Sequence, residues 1–146
     1  MTNLLEAKAK VQQYLIDQVG TIELMADGRM AFDSGSTRLF VRVSQREEAG
    51  YTYAIVTAPI TIEVPTSPEL FKWVALNTDQ YLFGHIGCSV ESEDAATATI
   101  VFTHTLLVDY LDAEELRRAV SAVVSTADDL DDEVVAKFGG KRYTDS

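Results

Sequence analysis

Leu4, Ala7, Val11, Leu15 and Val19 recur at helical spacing, with Glu6, Lys8, Lys10, Gln12 and Gln13 falling mostly between them. The chain therefore opens with an amphipathic helix over about residues 3–19, which Gly20 ends. The period then drops to two. TIELMADGRMAF has the character of a short hairpin or bent strand around Asp27-Gly28. STRLFVRVS alternates Leu39, Val41 and Val43 against Arg38, Phe40 and Arg42, and REEAG follows as an acidic turn. YTYAIVTAPITIEV sets Ala54, Val56, Ala58, Ile60 and Ile62 on one face and Tyr51, Tyr53 and Ile55 on the other. Pro59 interrupts this strand, which predicts an edge position or a bulge.

Ser67 is a suitable N-cap and Pro68 stands where a first helical turn tolerates proline, so a second helix begins there. FGHIGCSVE alternates Ile86, Cys88 and Val90 against His85, Gly87 and Ser89. ATATIVFTHTLLV alternates Ala98, Ile100, Phe102 and Leu106 against Thr97, Thr99, Val101, Thr103 and Thr105, and SED between the two segments predicts a hairpin. Asp112 and Glu115 form a capping-box-like start to the last helix. Its stripe of Leu116, Val120, Val123, Ala127, Leu130, Val134 and Phe138 reaches Gly139, a natural left-handed cap. A helix of that length spans roughly 39 Å, enough to cross a whole sheet. The order α-β-β-β-α-β-β-α predicts an α+β fold: a mostly antiparallel five-stranded sheet, with the first and last helices on the face of Leu39, Val41, Val43, Ala54, Val56, Ile100 and Phe102. No linker or repeat divides the sequence, so residues 1–146 are expected to form a single domain.

Charge narrows the partners. Twelve basic residues stand against 23 acidic ones, a net of −11, and no Lys/Arg cluster breaks the pattern. Such a surface repels nucleic acid and anionic membranes, whereas a polypeptide partner remains open to it. No apolar run approaches the ~20 residues that span a bilayer. The start MTNLLEAKAKVQQYL has no basic leader or cleavage site, and the single cysteine, Cys88, has no partner for an internal disulfide. Both features point to the cytoplasm.

The candidate chemistry is sparse. Five of the seven residues of ADDLDDE, from Ala127 to Glu133, are acidic. They lie on a continuing helix and lack the alternation and glycine turn of a calcium loop, so they read as a solvated helix face. Cys88 shares a strand face with Ile86 and Val90, His85 points the opposite way, and His104 is in line with Ile100, Phe102 and Leu106. That is neither a Cys-His pair nor a zinc site. No GxSxG, HExxH, P-loop or GxGxxG is present. The chain is therefore expected to be no enzyme and to need no metal or cofactor.

The element order resembles that of the small acidic chaperones of type III secretion systems and of YbjN-like proteins. The last helix, LDAEELRRAVSAVVSTADDLDDEVVAKFGG, with its acidic Ala-Asp segment and Phe-Gly-Gly ending, is similar to the C-terminal signature of actinobacterial chaperone-like (TY-Chap) domains. NTDQYLFGHIGCSVE, a helix end leading to glycine at a strand start, is similar to the same group. The resemblance covers nearly the whole chain. It implies a non-enzymatic, cytoplasmic, often dimeric domain that holds an extended segment of another protein, with a possible link to secretion. The alternative it leaves is a regulatory or small-ligand-binding domain of YbjN type.

Two surfaces follow. If helices cover one sheet face, the other presents Arg38, Phe40, Arg42, Tyr51, Tyr53 and Ile55, with Val101 and the threonines 97, 99, 103 and 105 beside them. Aromatics flanked by arginines on an acidic protein suit a partner chain or a second protomer, although cross-strand pairing alone would also place Phe40 and Tyr53 there. Trp73, Tyr81 and Phe83, in or just after the middle helix, stand where related chaperones dimerise, or else belong to the core.

Overall fold

The computed structural model describes residues 3–145. Helix α1 (Leu4–Val19) starts at Asn3, whose side chain accepts from the Leu5 and Glu6 amides, and ends at Gly20 with φ +89°. Strands β1 (Glu23–Leu24) and β2 (Met30–Ser34) form the hairpin expected around Asp27-Gly28. Asp27 accepts the Arg29 amide and Gly28 takes φ +91°. Next come β3 (Thr37–Arg46), β4 (Tyr51–Pro65), α2 (Pro68–Asn77), β5 (His85–Ser89), β6 (Thr97–Leu107) and α3 (Ala113–Phe138). All neighbouring strands are antiparallel, in the order β1-β2-β3-β4-β6-β5. The sheet has six strands, not five, because the first hairpin divides into two paired pieces.

Helices α1 and α3 lie on the expected face. Ala7, Val11 and Leu15 from α1, and Leu116, Val120, Val123, Ala127 and Val134 from α3, are buried against Leu39, Val41, Ala54, Val56, Ile100 and Phe102. Each Val, Leu, Ile or Phe side chain among them, taken fully out of water, contributes about 1.5–3 kcal/mol before chain entropy is counted. Ser67 caps α2 by accepting the Leu70 amide at 3.1 Å, and Pro68 opens the helix. At the other end of α2, Thr78 closes the outer edge of β5. Its hydroxyl donates to the Ile86 carbonyl at 2.6 Å and its carbonyl accepts the Ile86 amide at 3.3 Å. Gly84 lets β5 start this close to β6, since a Cβ there would stand 2.7 Å from the Phe102 ring and from the Thr103 carbonyl oxygen.

Two expectations need correction. The acidic run in α3 is not uniformly solvated: Asp131 is 3% exposed and Asp128 is half-buried. Asp131 stands four residues after Ala127 and three before Val134, so it occupies the buried stripe itself, and Leu130 lies beside that stripe. Both carboxylates meet the β2–β3 turn. Asp128 accepts from the Ser36 amide at 3.1 Å and from its hydroxyl at 2.7 Å, and Asp131 also hydrogen-bonds that hydroxyl. Gly35, at φ +58°, leaves the room this requires, because a Cβ would collide with the Asp128 carboxylate. Asp129, Asp132 and Glu133 do face water.

The alternation of β4 also fails before Ile62. Of the two expected settings for Pro59, an edge or a bulge, the bulge holds, since β4 lies between β3 and β6 and shifts register between Pro59 and Thr61 and again before Val64. Thr61 is consequently buried and Ile62 half-exposed. β3 begins at Thr37, whose hydroxyl donates to the Pro59 carbonyl at 2.7 Å. Past that point the chain's own C-terminal tail takes the place beside β4. The Ile62 amide donates to the Lys141 carbonyl at 2.8 Å and the Lys141 amide returns a bond at 3.0 Å. A single 3-10 turn over Tyr143–Asp145 follows.

Candidate functional site

The sheet face away from the helices is set by the strand register. Phe40 pairs with Thr57 and Thr57 with Thr103, Arg42 with Ile55 and Ile55 with Thr105, and Tyr53 with Leu107. Antiparallel partners share a face, so these side chains all project opposite the core. Thr57 and Thr103 place their hydroxyls 3.4 Å apart, and Tyr51 and Tyr53 meet edge to face at 6.2 Å.

Two adjoining depressions mark this face. One, of about 370 Å³, is lined by Arg46, Tyr51, Tyr53, Ile55, Thr105 and Leu107. The other, of about 200 Å³, is lined by Arg29, Phe40, Arg42, Ile55 and Thr57. They share Ile55 and so form one trough across β3, β4 and β6, with an apolar floor and arginines along it. Of the six side chains expected here, Arg42, Tyr51, Tyr53 and Ile55 line the trough with accessible surface. Arg38 is committed elsewhere: it pairs with Asp33 at 2.8 Å and with Glu23, and these carboxylates, Asp33 first, hold its guanidinium above its ordinary range. Phe40 is buried, because the Arg29 guanidinium lies 4.6 Å over its ring and Tyr143 packs edge-on at 6.1 Å. Leu107, 57% exposed, and Arg46 were missed, although continuing the alternation of β6 past Thr105 reaches Leu107.

The middle-helix aromatics separate. Trp73 packs on Phe138 at 5.8 Å and Tyr81 on Phe102 at 5.1 Å, both against the core, and burial pushes the Tyr81 hydroxyl up, helped by Glu133. Phe83 stays 44% exposed, with one side on His104. Phe71, Leu76 and Leu82 are exposed near it in sequence.

The titratable candidates stay apart from the trough floor. Cys88 packs against the core and burial raises its thiol, the opposite of activation. His104 shares the helix-covered face with Val56, and burial, then His85, holds its pKa below the ordinary value. Among the described residues no group of three or more His, Cys, Asp or Glu side chains could hold a metal, and no helix is long and apolar enough to cross a membrane. The trough offers shape, aromatic surface, guanidinium groups and threonine hydroxyls, which are means of binding.

Over residues 6–146 the chain matches a family model described as TY-Chap1, the T3SS (YopN, CesT) and YbjN peptide-binding chaperone 1. No curated protein matches the sequence.

Proposed function

The chain belongs to the TY-Chap1 family of peptide-binding chaperone domains, and from that premise we propose that it holds an extended segment of a partner protein in the trough on the helix-free face. The observation that carries this reading is the row of Tyr51, Tyr53 and Ile55 along β4, only partly covered and walled by Leu107, in a depression on the sheet face that no helix covers. Aromatic side chains give large contact area at low cost in conformational freedom, which is why they anchor interfaces. Arg42 and Arg46 stand at the margins of the same trough, exposed and in long ion pairs with Asp27 at 3.8 Å and Glu48 at 3.7 Å. They suit a segment carrying apolar residues interspersed with acidic ones. The single cysteine and the charge balance support a cytoplasmic setting for this binding.

The test is capture of a partner with the tagged chain and with a Tyr53→Ser/Ile55→Ser variant. Both substitutions fall on half-exposed positions outside the core, so the thermal midpoint should shift little. A protein retained by the parent and lost by the folded variant supports the reading. Equal retention by both moves the site off this face.

A further inference from the structure

The C-terminal tail occupies a strand position. Past Pro59, β4 has no β3 beside it, and Lys141 fills the vacancy with a reciprocal backbone pair to Ile62. The Lys141 ammonium then pairs with Glu63 at 3.1 Å. Arg142 is held above its ordinary range by Asp145 first, with Asp132 and Asp131 of α3 adding to the effect. Two residues beyond Lys141, Tyr143 reaches the helix-free face and lies on Phe40.

Phe40 is also the end wall of the trough. From the single bridge at Lys141 the chain thus passes, through the 3-10 turn at Tyr143–Asp145, from the β4 edge beside Glu63 to the mouth of the proposed peptide site. Its contacts include the backbone pair at Ile62, an exposed ion pair, the ring contact and a bond from the Thr144 amide to the Ser36 carbonyl at 3.4 Å.

We propose that the tail is a stand-in for the partner, which enters by displacing it: an extended segment bearing basic residues followed by an aromatic pairs with β4 at Ile62, sets its cation on Glu63 and its ring on Phe40, and continues into the trough. This rests on the reading of the trough as a peptide site. It adds the entry edge, the sequence chemistry recognised there, and a built-in competitor. Because the tail is tethered, it competes at an effective concentration in the millimolar range, so free peptide reaches the groove only weakly until the tail is loosened.

The probe is the tail itself, supplied in trans as a fluorescein-labelled peptide of sequence GGKRYTDS, with GGEESTDS as control. Binding is read by anisotropy on the full-length chain and on full-length Lys141→Glu/Tyr143→Ser, whose groove walls are unchanged. The inference requires the variant to bind GGKRYTDS at least tenfold more tightly than the parent, to ignore the control, and to lose the binding when Glu63→Lys is added. Equal binding by parent and variant, or no binding by a variant with the parent's far-UV circular dichroism, overturns it. A concentration-dependent dimer of the parent that the variant loses overturns it too, by making a second copy the occupant. Should the variant misfold, the parent decides the matter. Millimolar peptide must then speed hydrogen exchange at the parent's own Lys141 amide, and unchanged protection counts against the idea. Partner capture by the trough is measured separately, so either reading can fail while the other stands.

Discussion

Ser36 holds the end of the longest helix to the sheet with one hydroxyl and one amide. Its partners are Asp128 and the buried Asp131, two members of what the sequence presents as a uniform acidic run. Removing the hydroxyl leaves Asp131 buried without its donor, and an unsatisfied buried acceptor costs about 1–3 kcal/mol. Ser36→Ala should therefore lower unfolding stability by that amount in urea titrations. Asp129→Asn, in the same run but exposed, should change it by less than about 0.5 kcal/mol. Equal effects would mean that the turn does not anchor the helix. The run was misread because charge outweighed position: Asp131 is on the 127–134 stripe by spacing, and what makes burial tolerable is a serine 95 residues away. The burial of Phe40 was hidden for a related reason. Strand alternation put it on the correct face, but its roof, Tyr143, comes from a tail with no periodic signal.

At the scale of elements the periodic segments were the legible ones. The first helix, the alternation of β3 and β6, the Ser67-Pro68 helix start and the long last helix all follow from spacing and caps. In β4, Pro59 signals an edge or a bulge without saying how many residues are absorbed, so the bulge was legible as an alternative and the second shift before Val64 was not. The aromatics in and after α2 divide between core and surface, which spacing alone does not tell. Trp73 and Tyr81 turn inward, and the exposed apolar side chains are Phe71, Leu76, Leu82 and Phe83. Self-association, if this segment carries it, runs through Leu82 and Phe83. Multi-angle light scattering at micromolar concentration is expected to give a dimer for the parent and a monomer for Leu82→Ser/Phe83→Ser. A parent monomer ends that expectation.

At the scale of the whole molecule, one sheet face is closed by α1 and α3 and the other is left to a shallow trough and a short tail. On that open side stand Arg29, Arg42 and Arg46, from β3 and the turn before β2, paired with Asp27 and Glu48. The chain belongs to a family of peptide-binding chaperone domains, and the open face is the place proposed here for the peptide. The most direct test is amide chemical-shift mapping of the isotope-labelled chain, titrated with a synthetic peptide covering the segment of a captured partner that the chain protects from proteolysis. The account predicts saturable shifts at Arg42, Tyr53, Ile55, Thr105 and Leu107, while amides along α1 and the buried stripe of α3 stay in place. Saturable shifts confined to α2, α3 or the outer edge of β5, with the helix-free face untouched, would contradict it.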